Sequence, residues 1–446
     1  MKRSILALSV AAAVAACSPD LTVPNLNNPS AGGAVTRSTI VADAQGLVDQ
    51  LRTMATQGVR MSGVFGRESY DLRPQEPRPY SDYLIGPRDP NSFGGGTFFT
   101  NDYTAIVNAR TARADVAGVS DMTAEEKEAV RGWSQIVEAY AYAQLAMYHP
   151  EFGAPLEPPA DPTGEIAPVA TPQQLFDRAF ALYDSAQAHL QQAGSSLPFS
   201  LLPGSAAFAT PAGLIRLDRA LKARALKYNG KWADVLAALQ GSFLDTSKPT
   251  TSGAWLDYGS ENPNPFSGVP TDYIHPRIRA EAQTQADGSP DKRVPAKLKA
   301  IAPYTFQEAT ASDVPNIYPS PTSPFPLIKN EELILLRAEA ALAQGNTAAA
   351  LADVNVVRQG SGGLAPLTAA DVPTKDALLD EILYEKRYSL LWEGGFTWLD
   401  ALQYGKLSSL PKAAPDHVVF DRLGWPANEC LARGLSTGAC GPIVGK

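Results

Sequence analysis

The sequence predicts a mostly α-helical protein in which helix pairs of the tetratricopeptide type form a scaffold and two long irregular segments separate them. Three observations support this prediction. Apolar residues recur with helical spacing, short turns containing Gly or Asn separate neighbouring helical stretches, and two long Pro-rich segments carrying aromatic residues interrupt them. Helix–turn–helix units that stack on their neighbours are typical of tetratricopeptide-like repeats, although the repeat period is not regular here.

The N-terminus has the features of an export signal. Two basic residues precede an apolar stretch at 5–16, which is shorter than the roughly 20 residues needed to span a bilayer. Small residues then lead into Cys17, as in a lipobox. We therefore expect residues 1–16 to be a lipoprotein signal peptide and Cys17 to carry lipid, with an ordinary signal peptide as the alternative. Ser18, rather than Asp, after the cysteine argues against retention in the inner membrane.

The remaining chain is organised as a tether and one helical domain. Residues 17–41 are rich in Pro and Asn and are typical of a tether, and the domain then covers 42–446 with irregular insertions at about 59–100 and 241–328. Its length exceeds the roughly 250–300 residues at which a single core stops growing, so we expect two lobes or an elongated helical body with an irregular cap. The net charge of −8 and the lack of a basic run argue against nucleic acid.

The first half of the domain contains three predicted helix starts. Residues 42–58 show helical spacing. Thr123 and Glu126 form a capping-box pattern that opens a helix ending before Pro150. The segment 171–174, Thr-Pro-Gln-Gln, places Thr as N-cap, Pro at the first helical position and Gln three residues after the cap. These signals predict helices on both sides of the Pro-rich loop that follows Pro150.

The second half repeats this organisation. Helices are predicted over 212–228 and 231–240, with an Asn-Gly turn between them. Residues 241–328 hold so many prolines that we expect little regular structure there. Asn330 is predicted to cap the next helix, which a Gly-Asn turn joins to its partner. Residues 383–407, "LYEKRYSLLWEGGFTWLDALQYGKL", are predicted to form the last pair.

Acidic residues in this last pair raise the question of catalysis. Glu385 and Glu393 are eight positions apart, about two helical turns, so on one helix they would share a face. Such a pair could serve glycoside hydrolysis, and ordinary helix-face pairing with Arg387 is the alternative. The four histidines are far apart and no Cys-x-x-Cys occurs, so the sequence predicts no metal site and no cofactor.

Aromatic residues in the irregular segments predict carbohydrate binding. Sugar rings present flat apolar faces, which aromatic rings match, and a rim of hydroxyl groups, which Asn, Asp, Arg and Gln match. The alternative is that these rings pack the loops onto the helices. The candidate ligand contacts are Tyr80, Tyr83, Phe93, Trp255, Tyr258 and Tyr273.

Two cysteines remain once Cys17 carries lipid. An exported chain encounters oxidising conditions, so Cys430 and Cys440 are predicted to form a disulfide. The short loop it would close contributes somewhat less than about 3 kcal/mol on the chain-entropy estimate. Two free thiols are the alternative.

Several segments, in chain order, resemble the SusD/RagB family of nutrient-binding outer-membrane lipoproteins. They are the lipobox, "LTVPNLNNPS", "EAYAYAQLAMYHPEFGAPL", "EELILLRAEAALAQGNTAAALADVNVVR", the 383–407 stretch and "LGWPANE". The positions that match the family's pattern are Glu332, Arg337, Ala338, Glu339, Gly345, Asn346, Asn355, Arg358, Ile382, Glu385, Arg387, Glu393, Gly394, Trp398, Asp400 and Gly405. The chain departs from the pattern at Thr397 and Gln403, where the family often has Arg.

The resemblance implies a scaffold of about four tetratricopeptide-like pairs with irregular segments as the binding face. It also implies a partner, a SusC-like TonB-dependent outer-membrane barrel that the lipoprotein covers as a lid, and a location on the outer membrane facing the cell surface. Glu385, Arg387, Glu393 and Asp400 would then hold the last helix pair in place, and no reaction is expected.

We therefore expect a non-enzymatic surface receptor that captures oligosaccharide, or another polymer fragment, and passes it to such a barrel. Two alternatives come from other functional classes. One is a lipid-anchored glycan hydrolase that uses Glu385 and Glu393, and the other is a repeat scaffold that binds only proteins.

Overall fold

The computed structural model describes residues 35–86, 95–159, 165–267 and 271–435. The expected signal peptide and the predicted sites Cys17, Phe93 and Cys440 lie outside these ranges. The helices are α1 Arg37–Gln57, α2 Val59–Phe65, α3 Arg78–Tyr80, α4 Gly95–Asp115, α5 Ala124–Tyr148, α6 Pro172–Leu190, α7 Pro211–Tyr228, α8 Trp232–Gln240, α9 Pro276–Ala280, α10 Arg293–Lys297, α11 Asn330–Ala343, α12 Thr347–Val357, α13 Lys375–Ser389, α14 Phe396–Gln403 and α15 Ala427–Ala432. The strands are β1 Ser69–Asp71, β2 Ala154–Pro155, β3 Val169–Ala170, β4 Gly253–Leu256, β5 Asp272–Ile274, β6 Leu298–Phe306, β7 Ala309–Pro315 and β8 Phe325–Lys329.

The predicted helix starts are confirmed by their caps. The Thr123 hydroxyl accepts a hydrogen bond from the Glu126 amide, and the Glu126 carboxylate accepts one from the Thr123 amide. Thr171 and Gln174 make the same reciprocal pair at the start of α6. Each of these capping boxes provides acceptors for backbone N–H groups that have no partner within the helix. Helix α1 begins at Arg37, five residues before the predicted start.

Helix pairs form the scaffold, as predicted, and short turns join all of them except α5 and α6, which residues 149–171 separate. The four pairs are α5 with α6, α7 with α8, α11 with α12 and α13 with α14. Gly230 and Gly345 turn the chain within two of the pairs at φ of 75° and 82°, a conformation that glycine adopts without steric cost. The prediction for Asn330 is wrong, because its side chain bonds the backbone of Asp245 and does not cap α11.

The segments at 59–100 and 241–328 contain more regular structure than predicted. Strand β1 pairs with β5, β4 with β8, and β6 with β7, each in antiparallel fashion. Most of these strands are short and pair with distant parts of the chain, so local composition does not reveal them. The two segments are therefore joined to each other by backbone hydrogen bonds through β1 and β5.

One main cluster of buried apolar side chains runs from Ile40 to Leu423, which favours a single body with a cap over two lobes. Trp398 lies at its centre, with its ring centroid 5.1 Å from that of Phe65 and its indole N–H donating to the Phe420 carbonyl at 2.8 Å. Within the described parts of the chain, none of the helices combines the length and apolar character that crossing a bilayer requires.

Candidate functional site

The pairing of β1 with β5 creates the junction on which the candidate site is built. Tyr70 lies opposite Tyr273, and Asp71 lies opposite Asp272. Two carboxylates on facing strands repel each other unless each has its own counter-ion. Two cations are therefore needed at this point, and helix α2 and the loop after β1 supply them.

Two arginines neutralise the facing carboxylates. Arg60 donates through Nε to both oxygens of Asp272 at 2.9 and 3.1 Å, and Arg73 donates to Asp71 at 2.5 and 2.7 Å. Burial raises the pKa of Asp272 to about 6, against the opposing effect of Arg60, and burial also raises the pKa of Asp71. The side chains of Arg60 and Arg73 are 32% and 29% exposed, so both guanidinium groups present N–H donors to solvent.

A half-buried aromatic ring lies beside Arg60, and a stack of two rings lies on the opposite face of β5. The Arg60 guanidinium lies 5.2 Å from the ring centroid of Phe266, and its Nη2 donates to the Pro265 carbonyl at 2.8 Å. Tyr304 stacks on Tyr273 with centroids 4.7 Å apart and planes inclined by 8°. Flat rings next to N–H donors are the combination that a sugar ring requires.

The loop that contains Phe266 carries a second such pairing. Arg52 lies 5.1 Å from the ring centroid of Tyr258, and its Nη1 donates to the Asp257 carbonyl at 2.6 Å. Tyr258 is half-buried. The surface formed by Arg60, Arg73, Tyr258 and Phe266 is called the junction face below.

Two of the predicted ligand contacts are core residues. Tyr80 is 2% exposed, and its hydroxyl bonds His417 Nε2 at 2.8 Å and accepts from the Glu308 amide at 3.2 Å. Tyr83 is 5% exposed and packs edge-on against Phe65. The prediction that these two rings lie open for stacking is wrong, because aromatic residues near a chain turn are as suited to anchoring a loop as to holding a ligand.

The other three predicted ligand contacts among the described residues differ in how far they are buried. Tyr273 is mostly covered by Tyr304, which is the half-buried member of that stack. Trp255 and Tyr258 are half-buried, Trp255 on the outward side of β4. Their role in binding stays a prediction. The sequence analysis did not predict Arg60 and Arg73 as site residues. Their position in a segment that carries aromatic residues was the feature that could have indicated them.

The candidate catalytic acids lie in different elements and are closed to solvent. Helix α13 ends at Ser389, so Glu393 follows it in a turn and shares no helix face with Glu385. Glu385 is fully buried and contacts Arg293 at 2.6 Å, with Arg358 at 3.5 Å. Glu393 contacts Lys297 and Lys329 at 3.0 and 2.6 Å.

These contacts give the acids a structural role, as the resemblance implied. Asp400 contacts Lys386 at 2.8 Å and also pairs with Lys227, while Arg387 pairs with Glu281. The charges thus link the last helix pair to α7, α9 and α10 as well as to itself. Within the described ranges, no group of three or more His, Cys, Asp or Glu side chains is placed to hold a metal ion.

Cys430 is fully buried in α15 and is disulfide-bonded. Its pairing with Cys440 stays a prediction, since Cys440 lies outside the described residues.

Comparisons with known proteins define the fold. No protein-family model matches the chain, and no curated protein matches it. A SusD superfamily protein of Bacteroides vulgatus ATCC 8482 superposes with a TM-score of 0.69 at 15% identity, covering 90% of this chain and 98% of that chain. NanU of B. fragilis gives 0.67 at 12% identity, covering 91% and 98%. A SusD-like carbohydrate-binding protein of Bacteroides fragilis NCTC 9343 gives 0.61 at 13%, covering 81% and 86%. The predicted SusD-like fold is confirmed.

Proposed function

We propose, on the premise that the chain has the fold of SusD superfamily proteins, that it is a non-enzymatic receptor for oligosaccharides. The observation that carries the proposal is the junction face, where the partly exposed guanidinium of Arg60 lies against the half-buried ring of Phe266. Arg60 contacts Asp272 and Phe266 at once, so its position relative to the ring is held by a carboxylate from another segment. Such a preorganised donor loses little entropy when a ligand binds.

The affinity that this face supports is modest. Each aromatic contact contributes about 0.5–1.5 kcal/mol beyond the area it covers. Two or three such contacts with a few hydrogen bonds correspond to a dissociation constant roughly in the micromolar to millimolar range. Weak binding suits a receptor that captures a polymer fragment and then releases it to another protein.

A receptor role also agrees with the burial of the acidic residues. A glycosidase needs two carboxyl groups that reach the scissile bond from opposite sides. Glu385 and Glu393 are each engaged by two cations and are closed to solvent, so the catalytic alternative lacks its acids. Release of reducing ends from glycans by the purified wild-type protein would overturn this part of the proposal.

Glycan titration calorimetry tests the binding role. We expect a neutral oligosaccharide from a screen to bind the wild-type protein, and Tyr258→Ala, at the junction face, to weaken binding about two- to tenfold, as loss of one ring contact implies. Trp255→Ala tests the other half-buried predicted contact in the same way. Trp232→Ala is the matched control, because Trp232 is also half-buried but lies at the start of the scaffold helix α8. Binding that all three substitutions weaken equally would refute the assignment of the site.

The cellular part of the proposal is a lipid anchor at Cys17 and delivery to a SusC-like TonB-dependent barrel in the outer membrane. The anchor predicts that Cys17→Ala moves the protein from the membrane fraction to the soluble fraction. Delivery predicts that the membrane-extracted wild-type protein copurifies with such a barrel. A protein complex without any glycan binding would instead support a protein-binding scaffold.

A further inference from the structure

A groove of about 590 Å³ lies among α4, α15 and the loop between β2 and β3. Helix α4 supplies one wall through side chains that recur every four residues and so share a face of the helix. They are Phe99, Thr100, Tyr103, Thr104, Val107 and Asn108. Pro158 and Ile166 of the loop and Arg433 of α15 also line the groove. No residue of the junction face does, so this is a separate surface.

Apolar side chains around this groove are open to solvent. Val107 is 37% exposed and Ile166 is 49% exposed, and Leu435, two residues after Arg433, is 39% exposed. Six large apolar side chains among the described residues reach such exposure, and five of them lie in or next to the elements that line the groove. A cluster of exposed apolar side chains marks a surface that another group covers.

The described chain ends beside the groove. After α15, the Gly434 amide donates to the Leu431 carbonyl at 3.0 Å and the Leu435 amide donates to the Cys430 carbonyl at 2.9 Å, with Gly434 at φ +67°. These two bonds form a Schellman motif, which ends a helix and turns the chain. Residues 436–446 are therefore attached next to the groove.

A covalent link also holds that segment at α15. Cys430 is disulfide-bonded and fully buried, and its neighbour Glu429 lines the groove. The predicted partner is Cys440, because Cys17 is proposed to carry lipid. Cα atoms joined by a disulfide lie at most about 7 Å apart, and each further residue adds at most about 3.6 Å. Residues 441–446 thus start within reach of the groove walls.

The composition of residues 441–446, Gly-Pro-Ile-Val-Gly-Lys, matches the groove. Ile443 and Val444 are apolar branched side chains that gain from leaving water. Lys446 is the only charged side chain of this stretch, and the groove lining includes Glu165, which is exposed and has no ion-pair partner within the described ranges. Apolar side chains followed by a cation thus meet an apolar wall with a carboxylate.

We propose that residues 441–446 occupy this groove, with Ile443 and Val444 against the α4 wall and Lys446 beside Glu165. Because Cys440 is already held at α15, the segment loses little further entropy when it docks. The segment then acts as a seal that keeps an apolar surface from contacting other proteins. Apart from the lipid on Cys17, the inference does not depend on the receptor proposal.

Carbodiimide cross-linking of the full chain tests this contact, because the reagent joins an amine to a carboxylate only where the two touch. Peptide mass spectrometry should show Lys446 joined to Glu165 or Glu429 in the wild-type protein. The double substitution Ile443→Ser and Val444→Ser should remove most of this product, and Ile443→Leu with Val444→Leu should keep it. Lys446→Arg is the chemical control, since a guanidinium group does not couple.

Fluorescence of anilinonaphthalene sulfonate measures whether the groove is covered. Emission should rise about twofold or more in the Ser double variant relative to the wild type, because the dye binds exposed apolar surface. Val35→Ser is the matched control and should cause no rise, since Val35 is 43% exposed but does not line the groove.

Three results would overturn the proposal. One is coupling of Lys446 to carboxylates outside the groove as often as to Glu165 and Glu429. Another is equal dye emission from the wild type and the Ser double variant. The third is a dimer in light scattering that Ile166→Ser dissociates, which would show that a second copy fills the groove. Glycan binding enters none of these measurements, so failure of the receptor proposal is distinguishable. Circular dichroism melts check folding, and the wild-type cross-link decides if the Ser double variant does not fold.

Discussion

The buried ion cluster of the last helix pair gives a stability prediction with a definite size. Lys227 and Lys386 are 0% and 3% exposed, and they face Asp400 and Glu339, which are 5% and 0% exposed. Lys386 Nζ is 2.8 Å from Asp400 and 2.7 Å from Glu339. The two positive and two negative charges balance. Asp400→Asn would leave two ammonium groups with one carboxylate in a region closed to water, so we expect a loss of about 3–5 kcal/mol in the free energy of unfolding.

Urea unfolding followed by circular dichroism measures this loss. The matched control is Asp380→Asn, because Asp380 is 62% exposed and pairs with Lys406 at the surface, where a pair contributes only about 0–1 kcal/mol. Adding Lys227→Met to Asp400→Asn restores the charge balance and should recover about 1 kcal/mol or more. A loss for Asp400→Asn no larger than that for Asp380→Asn would refute the reasoning.

Further predictions concern a turn and the pH dependence of stability. Gly395→Ala should lower the free energy of unfolding by about 2 kcal/mol or more, because φ is +62° and an added Cβ overlaps Ser62 Oγ. Gly405→Ala, at φ +64° in open space, should lose only about 1 kcal/mol, and equal losses in urea melts would contradict this account. Burial, and then Arg67, holds the pKa of His275 well below 6.5, so the folded protein binds fewer protons than the unfolded chain. The contribution of His275 to stability should therefore fall as the pH drops below 6.5, so that between pH 6.5 and 5 His275→Gln loses less, or gains more, stability than the wild type; identical slopes in urea melts would refute this assignment.

The candidate site shows which of its residues local sequence patterns can predict and which they cannot. Aromatic residues in the irregular segments were selected, and two of them, Trp255 and Tyr258, lie half-buried. Composition cannot tell a ring that anchors a loop from one that binds ligand, so Tyr80 and Tyr83 were selected although both are buried. Arg60 was missed because its partners Asp272 and Phe266 are distant in sequence.

The sequence by itself determined most of the scaffold helices, the caps at Thr123 and Thr171 and the Gly-containing turns within the pairs. Those features depend on spacing and hydrogen bonds within a few residues, as Thr123 and Glu126 show. Only the tertiary structure decided which charges are buried and which segments meet: Arg60 and Asp272, 212 positions apart, are joined by the pairing of β1 with β5. The physical reason is that burial and ion pairing are properties of the surroundings of a side chain, and folding brings those surroundings from remote parts of the chain.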